Sequence, residues 1–336
     1  MFLGLREDRF EAVLSDIVGH LQSHRACIIL EQQGFIVFVV YWMCIGANRG
    51  VGKGRGIRLH NLHASLQPTS LKPSIFHPTP HAMLPTPSTS HVCFDRVYEP
   101  AEDSFLLLDT ISAASETAFL HDRFNPVSTG TPPLILEVGV GSGVVLAFVA
   151  GNASSIFGRK DVLTLGTDIN RFACQAASET VQRAIKDRTP SIFLDIVNGD
   201  LASSIRPHSV DIFIFNPPYV PAELPDFSRH DNYNTVPQGQ KSTSFAQDSY
   251  LLELSYAGGE DGMVVTNRML EQIPYILEPA RGVAYLLLCA QNKPEEVKQH
   301  IRDWGTGWMA ETVGLSGKTA GWEKLQIIKI WKGSSA

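Results

Sequence analysis

The chain is poor in paired cysteine. Its five cysteines, Cys27, Cys44, Cys93, Cys174 and Cys289, are odd in number, scattered, and form no Cys-x-x-Cys pair. They provide no basis for a disulfide framework or a metal cluster, so no metal site is expected and a reducing compartment, cytoplasm or nucleus, fits best. Positive charge is not in surplus. The formal net charge is −6 over 336 residues, so the surface as a whole does not suit a long polyanion, and nucleic acid is not the expected partner. A membrane-spanning run is also missing. The apolar stretch from Phe35 to Ile45 falls short of the roughly 20 residues a spanning helix needs. It also lies behind Asp8, Glu11 and Asp16, too deep for a signal peptide, and reads as a buried or poorly ordered segment, with a short membrane-associated helix as the alternative.

What is present bounds the fold. The chain is 44% hydrophobic and 18% charged, which suffices for one sizeable core and a small appendage. Residues 1–90 lack sustained globular patterning. Arg49 to Arg58 is glycine-rich and basic, readable as a solvated tether or as an RNA contact. Pro68, Pro73, Pro78, Pro80, Pro85 and Pro87, set among Ser, Thr and His, form a linker without core-building capacity. The folded domain is expected over 91–336.

Within it, strand and helix patterns alternate. Short apolar runs at Leu134–Val138, Val162–Thr167, Ile192–Val197, Val210–Phe215 and Gly282–Ala290 read as strands, and Leu325–Trp331 as a late strand that pairs back beside the last of these. Met263–Leu277 has helical spacing. Strands without polar alternation, separated by helices, predict an α/β fold with a doubly wound, mostly parallel sheet buried on both faces. Ligands of such sheets bind at the carboxyl ends of the strands. Gly139, Asp168, Asp200 and Asn216 all fall at predicted carboxyl ends, and that convergence weighs more than any single motif.

Each motif has its own chemistry. Gly139-Val-Gly-Ser-Gly143 does not have the dinucleotide spacing G-x-G-x-x-G, but its glycines permit a tight turn and close backbone approach to a ligand. Asp168, ending the second strand, can accept both hydroxyls of a ribose. Asp200 can accept from an adenine amino group beside the Leu201 backbone amide, or can serve as a helix N-cap. Asn216-Pro-Pro-Tyr219 ends the fourth strand in a turn whose prolines remove donors and fix φ. Its carbonyls and the Asn216 side chain are then free to accept from a planar NH2 group, with Tyr219 offering a flat face. No His or Lys adjoins the quartet, so no general base is assigned.

Glu137-Val-Gly-Val-Gly-Ser-Gly143 together with Asn216-Pro-Pro-Tyr219 resembles class I S-adenosylmethionine-dependent methyltransferases, which have a Rossmann-like fold. Val97-Tyr-Glu-Pro-Ala-Glu-Asp-Ser-Phe-Leu-Leu-Leu-Asp109 and Tyr256-Ala-Gly-Gly-Glu-Asp-Gly262 narrow the resemblance to the eukaryotic HemK-like protein glutamine methyltransferases, relatives of bacterial PrmC. It covers about Phe94 to Trp331. That resemblance implies N5-methylation of the glutamine in the Gly-Gly-Gln loop of the class I translation release factor. It implies S-adenosyl-L-methionine as cofactor, with Glu137, Gly139 and Gly141 at its methionine end, Asp168 on the ribose, Asp200 and Leu201 on the adenine, and Ser104 closing from the N-terminal side. Asn216 and the Pro217 carbonyl would bind the target NH2, Pro218 would complete the rigid turn, and Tyr219 would pack on the amide plane. The Gly258 to Gly262 segment either walls the entry of the substrate loop or turns into a helix capped by Asp261.

The resemblance also implies a small zinc-binding activator subunit that adds a strand to the sheet edge, and Ile192–Val197 is the candidate edge; the alternative is an internal strand. Two stretches depart from the family pattern: residues 1–90, and a long polar segment from Glu223 to Tyr250 that reads as a lid, a docking surface or a mobile loop. Rival functions are methylation of an amino group on adenine in nucleic acid or on a protein lysine such as that of a histone, and a non-catalytic scaffold. A nicotinamide dehydrogenase is disfavoured by the glycine spacing.

Overall fold

The computed structural model describes residues 28–32, 35–39, 83–126, 130–186, 191–236, 242–317 and 324–333. The chain divides into two units, Met1–Ile75 and Phe76–Ala336. In the first, β1 (Ile28–Gln32) pairs antiparallel with β2 (Phe35–Val39), Ile28 opposite Val39. The apolar run beginning at Phe35 therefore opens as a strand. The remainder of that run, the basic tract Arg49 to Arg58 and the prolines from Pro68 to Pro80 lie outside the described residues.

The second unit is built on a seven-stranded sheet in the order β5-β4-β3-β6-β7-β9-β8. Its strands are β3 (Leu134–Val138), β4 (Leu163–Asp168), β5 (Ile192–Asn198), β6 (Ile212–Phe215), β7 (Val283–Cys289), β8 (Trp308–Leu315) and β9 (Leu325–Lys332). The β3–β4, β3–β6, β4–β5 and β6–β7 pairs are parallel, while β9 runs antiparallel to both β7 and β8. The doubly wound, mostly parallel sheet with a late antiparallel strand is thus the expected one. Successive residues of the central strands enter opposite cores. Ile212 and Ile214 pack on one face, Phe213 and Phe215 on the other; Tyr285 and Leu287 are separated in the same way from Leu286 and Leu288. Both faces are covered, which is why these runs show no polar alternation.

Helices α1 (Glu102–Ser112), α2 (Ala114–Arg123), α3 (Val144–Gly151) and α4 (Ala153–Phe157) supply one core, joined by α5 (Arg171–Ile185). After the short α6 (His230–Tyr233) and α7 (Phe245–Tyr256), helices α8 (Val264–Ile276) and α9 (Pro294–Arg302) supply the other. α5 begins where Asn170 Oδ1 accepts from the Phe172 and Ala173 N–H groups, an N-cap at the end of β4. Upstream of His91, Leu84 packs against the core and the Pro85 carbonyl accepts from Asn152 Nδ2.

One ion pair, Glu116 with Lys329, is buried among the helices and late strands, with the half-exposed Glu311 at its edge. Lys329 Nζ lies 3.0 Å from Glu116 Oε1 and 3.0 Å from Glu311 Oε1, and the Tyr285 hydroxyl donates to Glu116 Oε2 at 2.8 Å. The ammonium also sits 4.1 Å from the Phe119 ring centre. Burial first, then the adjacent Glu116, pushes the Tyr285 phenol well above its ordinary range.

β5 lies at the sheet edge, so the internal-strand alternative for Ile192–Val197 falls. Among the described residues it pairs with β4 on one side only, and Ile192 and Leu194 are exposed. The strand β8 was not foreseen. Only Ala310 of its eight residues is buried, so its pattern carries little hydrophobic signal. Chain order runs from β3 outward to β4 and β5, then returns across β3 to β6. The crevice beyond the carboxyl ends of β3 and β6 is the switch point where such sheets bind ligands.

Candidate active site

The glycine turn after β3 is shaped by three left-handed residues, Gly139 (φ 66°), Gly141 (φ 51°) and Gly143 (φ 77°). Gly143 has a second reason to lack a side chain: a Cβ there would stand 2.5 Å from Ala177 Cα, so only glycine lets α3 start against α5. The turn is fastened from two sides. Glu137 accepts from the Leu146 N–H at 2.8 Å and holds the first turn of α3, and burial pushes its carboxyl well above the usual carboxylate range. Asp168, at the end of β4, accepts from the N–H groups of Gly141 (2.9 Å) and Asn170 (2.8 Å). Burial raises its pKa to about 6, opposed by those same backbone donors. A carboxylate has about four lone-pair positions, so two backbone bonds leave Asp168 able to accept from a ligand diol.

The turn after β6 is held by a different set of groups. Asn216 Nδ2 donates to Asp103 Oδ2 at 3.1 Å. Asn216 Oδ1 is buried and has no hydrogen-bond partner. A buried acceptor left unmatched costs about 1–3 kcal/mol, and such atoms in folded proteins call for an explanation. Downstream, the Val220 N–H donates to the Tyr256 carbonyl and the Val220 carbonyl accepts from Gly258. Asn292, 2% exposed and just past β7, donates from Nδ2 to the carbonyls of Tyr219 (3.2 Å) and Asp261 (3.0 Å), while its Oδ1 accepts from the Cys289 N–H.

This settles the segment from Gly258 to Gly262. A Cβ on Gly258 would lie 2.3 Å from the Pro218 carbonyl oxygen, and one on Gly262 2.0 Å from that of Tyr219. The glycines exist so that this segment can back directly onto the Asn-Pro-Pro-Tyr turn. Asp261 does not cap α8, which starts after Met263 without a side-chain cap; its carboxylate pairs with Lys293 Nζ at 3.0 Å in solvent.

The crevice between these two turns encloses about 1160 Å³ of space, part of it open to solvent. Ser104, Glu137, Gly139, Gly141, Asp168, Asp200, Leu201, Asn216 and Pro218 all line it. Pro217 and Tyr219 are not among its lining residues. The Tyr219 ring, expected to lie on an acceptor amide, is half-buried against the hydrophobic core, where its apolar area is removed from water. Ser104 sends both its N–H and its hydroxyl to Asp103 Oδ1. Asp200 caps no helix; it pairs with Arg268 of α8, both side chains being about half exposed. Leu201 adopts φ 52°, and its carbonyl accepts from Thr167 Oγ1 at 2.9 Å. A left-handed leucine is strained by roughly 1–2 kcal/mol, a cost that concentrates at ligand sites.

The long segment after the turn contributes to the walls. Leu224, Pro225 and Phe227 line the crevice. Asn234 fastens this stretch to the end of β4: its Oδ1 accepts from the Arg171 N–H at 2.8 Å and its Nδ2 donates to the Ile169 carbonyl at 3.0 Å. Its described part is therefore a cover docked on the crevice rather than a loose loop. Sequence reading missed Asp103, Asn234, Arg268 and Asn292. Asp103 stood inside a recognised motif, and Asn292 follows a predicted strand carboxyl end, so both were within reach of the same rules. Among the described residues no group of His, Cys, Asp and Glu side chains is placed to hold a metal ion, and no helix is long and apolar enough to cross a membrane.

No family model matches the sequence. The chain is 34% identical over 251 residues to the human protein named "Methyltransferase HEMK2", spanning 74% of this chain and 96% of that protein. It is 30% identical over 255 residues to the "eRF1 methyltransferase catalytic subunit mtq2" of Schizosaccharomyces pombe, with 74% and 96% covered. A more distant archaeal relative, from Methanocaldococcus jannaschii, is 25% identical over 237 residues and is named a putative protein N5-glutamine methyltransferase. The chain belongs to the HEMK2 family of methyltransferases.

Proposed function

We propose that the chain uses S-adenosyl-L-methionine to methylate the side-chain amide nitrogen of the glutamine in the Gly-Gly-Gln loop of the eukaryotic class I release factor. The observation that carries this reading is the buried, unpartnered Oδ1 of Asn216 at the carboxyl end of β6. That atom is an acceptor waiting for a donor, and a primary amide brings two N–H donors on a flat group. The fit to the cofactor rests on the chain's own geometry: a glycine turn with an accessible backbone, Asp168 with lone pairs to spare, and a strained Leu201 beside Asp200. Bound there, the cofactor would supply an electrophilic sulfonium methyl: the carbon–sulfur bond breaks as the carbon–nitrogen bond forms, sulfur keeps the electron pair as a thioether, and the amide nitrogen gives up one proton to water.

The protein's work is then alignment and charge. Asn216 Oδ1 and a carbonyl of the Asn-Pro-Pro-Tyr turn accept the two amide hydrogens and place the nitrogen; the resemblance gives that second role to Pro217, which is not among the crevice-lining residues. The two acceptors also favour positive charge on that nitrogen as its lone pair is drawn out of conjugation. Holding two reactants in line corresponds to about 7–11 kcal/mol of barrier. Asp168 would hold the ribose, Asp200 and Leu201 the adenine, and the Ser104 segment the near side. The uncovered edge of β5, with Ile192 and Leu194 exposed, suits a strand-adding activator subunit of the zinc-binding type. The fission yeast relative's name, a catalytic subunit, agrees with such a pairing.

The test is mass spectrometry of release-factor peptides after incubation with cofactor and the co-expressed activator, with histone and adenine-containing DNA offered in parallel. One methyl group on the loop glutamine is the expected product. Asn216→Ala is expected to keep cofactor binding and lose transfer by a factor of about 10² or more. Methylation of lysine or adenine instead, or near-normal turnover by that variant, would refute the reading.

A further inference from the structure

We infer that Asp103 is a positioning residue for methyl transfer, acting through Asn216; the inference rests on the acceptor site proposed above. The amide of Asn216 has two ends of almost equal size, one that only accepts and one that only donates. What holds one end decides which end enters the crevice. Asn216 Nδ2 donates to Asp103 Oδ2 at 3.1 Å. A carboxylate oxygen accepts, so the amide presents its nitrogen to Asp103 and its oxygen is turned away from it. That oxygen is the buried atom without a partner.

Asp103 is itself held in place. It is 3% exposed, and its Oδ1 accepts from the Ser104 N–H at 2.5 Å and from the Ser104 hydroxyl at 3.2 Å. It stands in the first turn of α1, where the free backbone N–H groups favour a carboxylate. One oxygen of Asp103 therefore fixes the segment expected on the cofactor, and the other fixes the residue expected on the acceptor. Charge adds to orientation. A carboxylate behind the NH2 end polarises the amide toward Oδ1 and strengthens that acceptor as positive charge develops on the nitrogen receiving the methyl group. Asp103 touches neither reactant in this scheme; it sets which atom of Asn216 does.

Asp103→Asn tests this directly, because it keeps the shape and replaces a pure acceptor with a group that can offer either end. In the complex with its activator, the variant is expected to lose about tenfold or more in kcat, with KM for the release factor and Kd for the cofactor changed by less than about threefold. Asp103→Asn combined with Asn216→Ala is expected to be no slower than Asn216→Ala alone, since the two act as one unit. A merely structural role for Asp103 would instead multiply the two losses and lower thermal stability. Unchanged kcat, or multiplicative losses, would overturn the inference. If no glutamine is methylated by the wild type, the proposed function fails, but Asp103 is still decided by nuclear magnetic resonance of the free protein. The Asn216 side-chain NH2 protons are expected to exchange slowly with solvent and to speed up by about tenfold or more in Asp103→Asn. Equal exchange in both proteins would overturn it.

Discussion

Replacing Gly262 by alanine is expected to disable transfer while leaving the cofactor site intact. Gly262 has φ 68°, and a Cβ built there would meet the Tyr219 carbonyl oxygen at 2.0 Å, its carbon at 2.7 Å and Asn292 Nδ2 at 2.8 Å. A relaxed carbon–oxygen contact lies near 3.3 Å, so one side must yield by about 1.3 Å. Neither neighbour is a flexible side-chain tip. The first is the backbone of the Asn-Pro-Pro-Tyr turn; the second is the buried amide that anchors it. Left-handed alanine adds about 1–2 kcal/mol of its own. A displacement of about 1 Å in a positioning element corresponds to roughly 10²-fold in rate.

The assay is labelled-methyl transfer to the release factor, with cofactor affinity by calorimetry on the same sample. Cofactor affinity is expected to hold, because the glycine turn and Asp168 belong to β3 and β4. Gly130→Ala is the control: it shares the positive φ of 62° and has nothing within 4 Å of the added carbon, so it carries the backbone strain without the collision. Gly258→Ala is the complement, with the Pro218 oxygen at 2.3 Å and no positive φ. The reasoning is refuted if Gly262→Ala and Gly258→Ala both turn over at a normal rate, or if Gly130→Ala is as inactive as they are.

Two further outcomes are expected. Cofactor affinity should fall as pH drops through about 6, where burial places the Asp168 carboxyl, because protonation converts an acceptor of ribose hydroxyls into a donor; below that the decline approaches about tenfold per pH unit. The same raised pKa acts oppositely on the free protein, since its unfavourable contribution is complete above about 6 and is relieved as pH falls toward the ordinary 3.8. Calorimetry from about pH 8 to about pH 5 checks the first effect, Asp168→Ala should both weaken binding and flatten the profile, and a level wild-type profile would count against the ribose assignment. Lys329→Ala should destabilise the fold by about 3–5 kcal/mol, since it leaves Glu116 buried with only the Tyr285 hydroxyl; denaturant unfolding measures it, and a loss under about 1 kcal/mol would show that solvent reaches the cluster.

The parallel sheet was readable because its central strands are buried on both sides and so appear as unbroken apolar runs. Leu134–Val138 was found to the residue, whereas Val210 proved to be an isolated bridge to Leu277 rather than the start of β6. β8 escaped because an edge strand with one buried residue has no run to detect. Site residues were readable where a strand ends in a distinctive motif. The groups that hold those motifs were not, because their partners are remote in sequence: 113 residues separate Asp103 from Asn216, and 68 separate Asp200 from Arg268. Local pattern carries no record of such pairings. Asp261 illustrates the converse ambiguity: an acidic residue before a helix can equally read as a cap, and here the backbone turns it outward to a lysine.

The amide of Asn292 joins carbonyls 73 and 31 residues away from it. Shaping the turn after β6 therefore waits on the arrival of β7 and of the segment before α8, which come later in the chain. The glycine turn and Asp168, by contrast, are fastened by bonds within residues 137–170, Leu146 to Glu137 and Gly141 and Asn170 to Asp168, so the two halves of the crevice depend on the chain in different ways: one on bonds within that stretch, the other on closure of the sheet across β6 and β7.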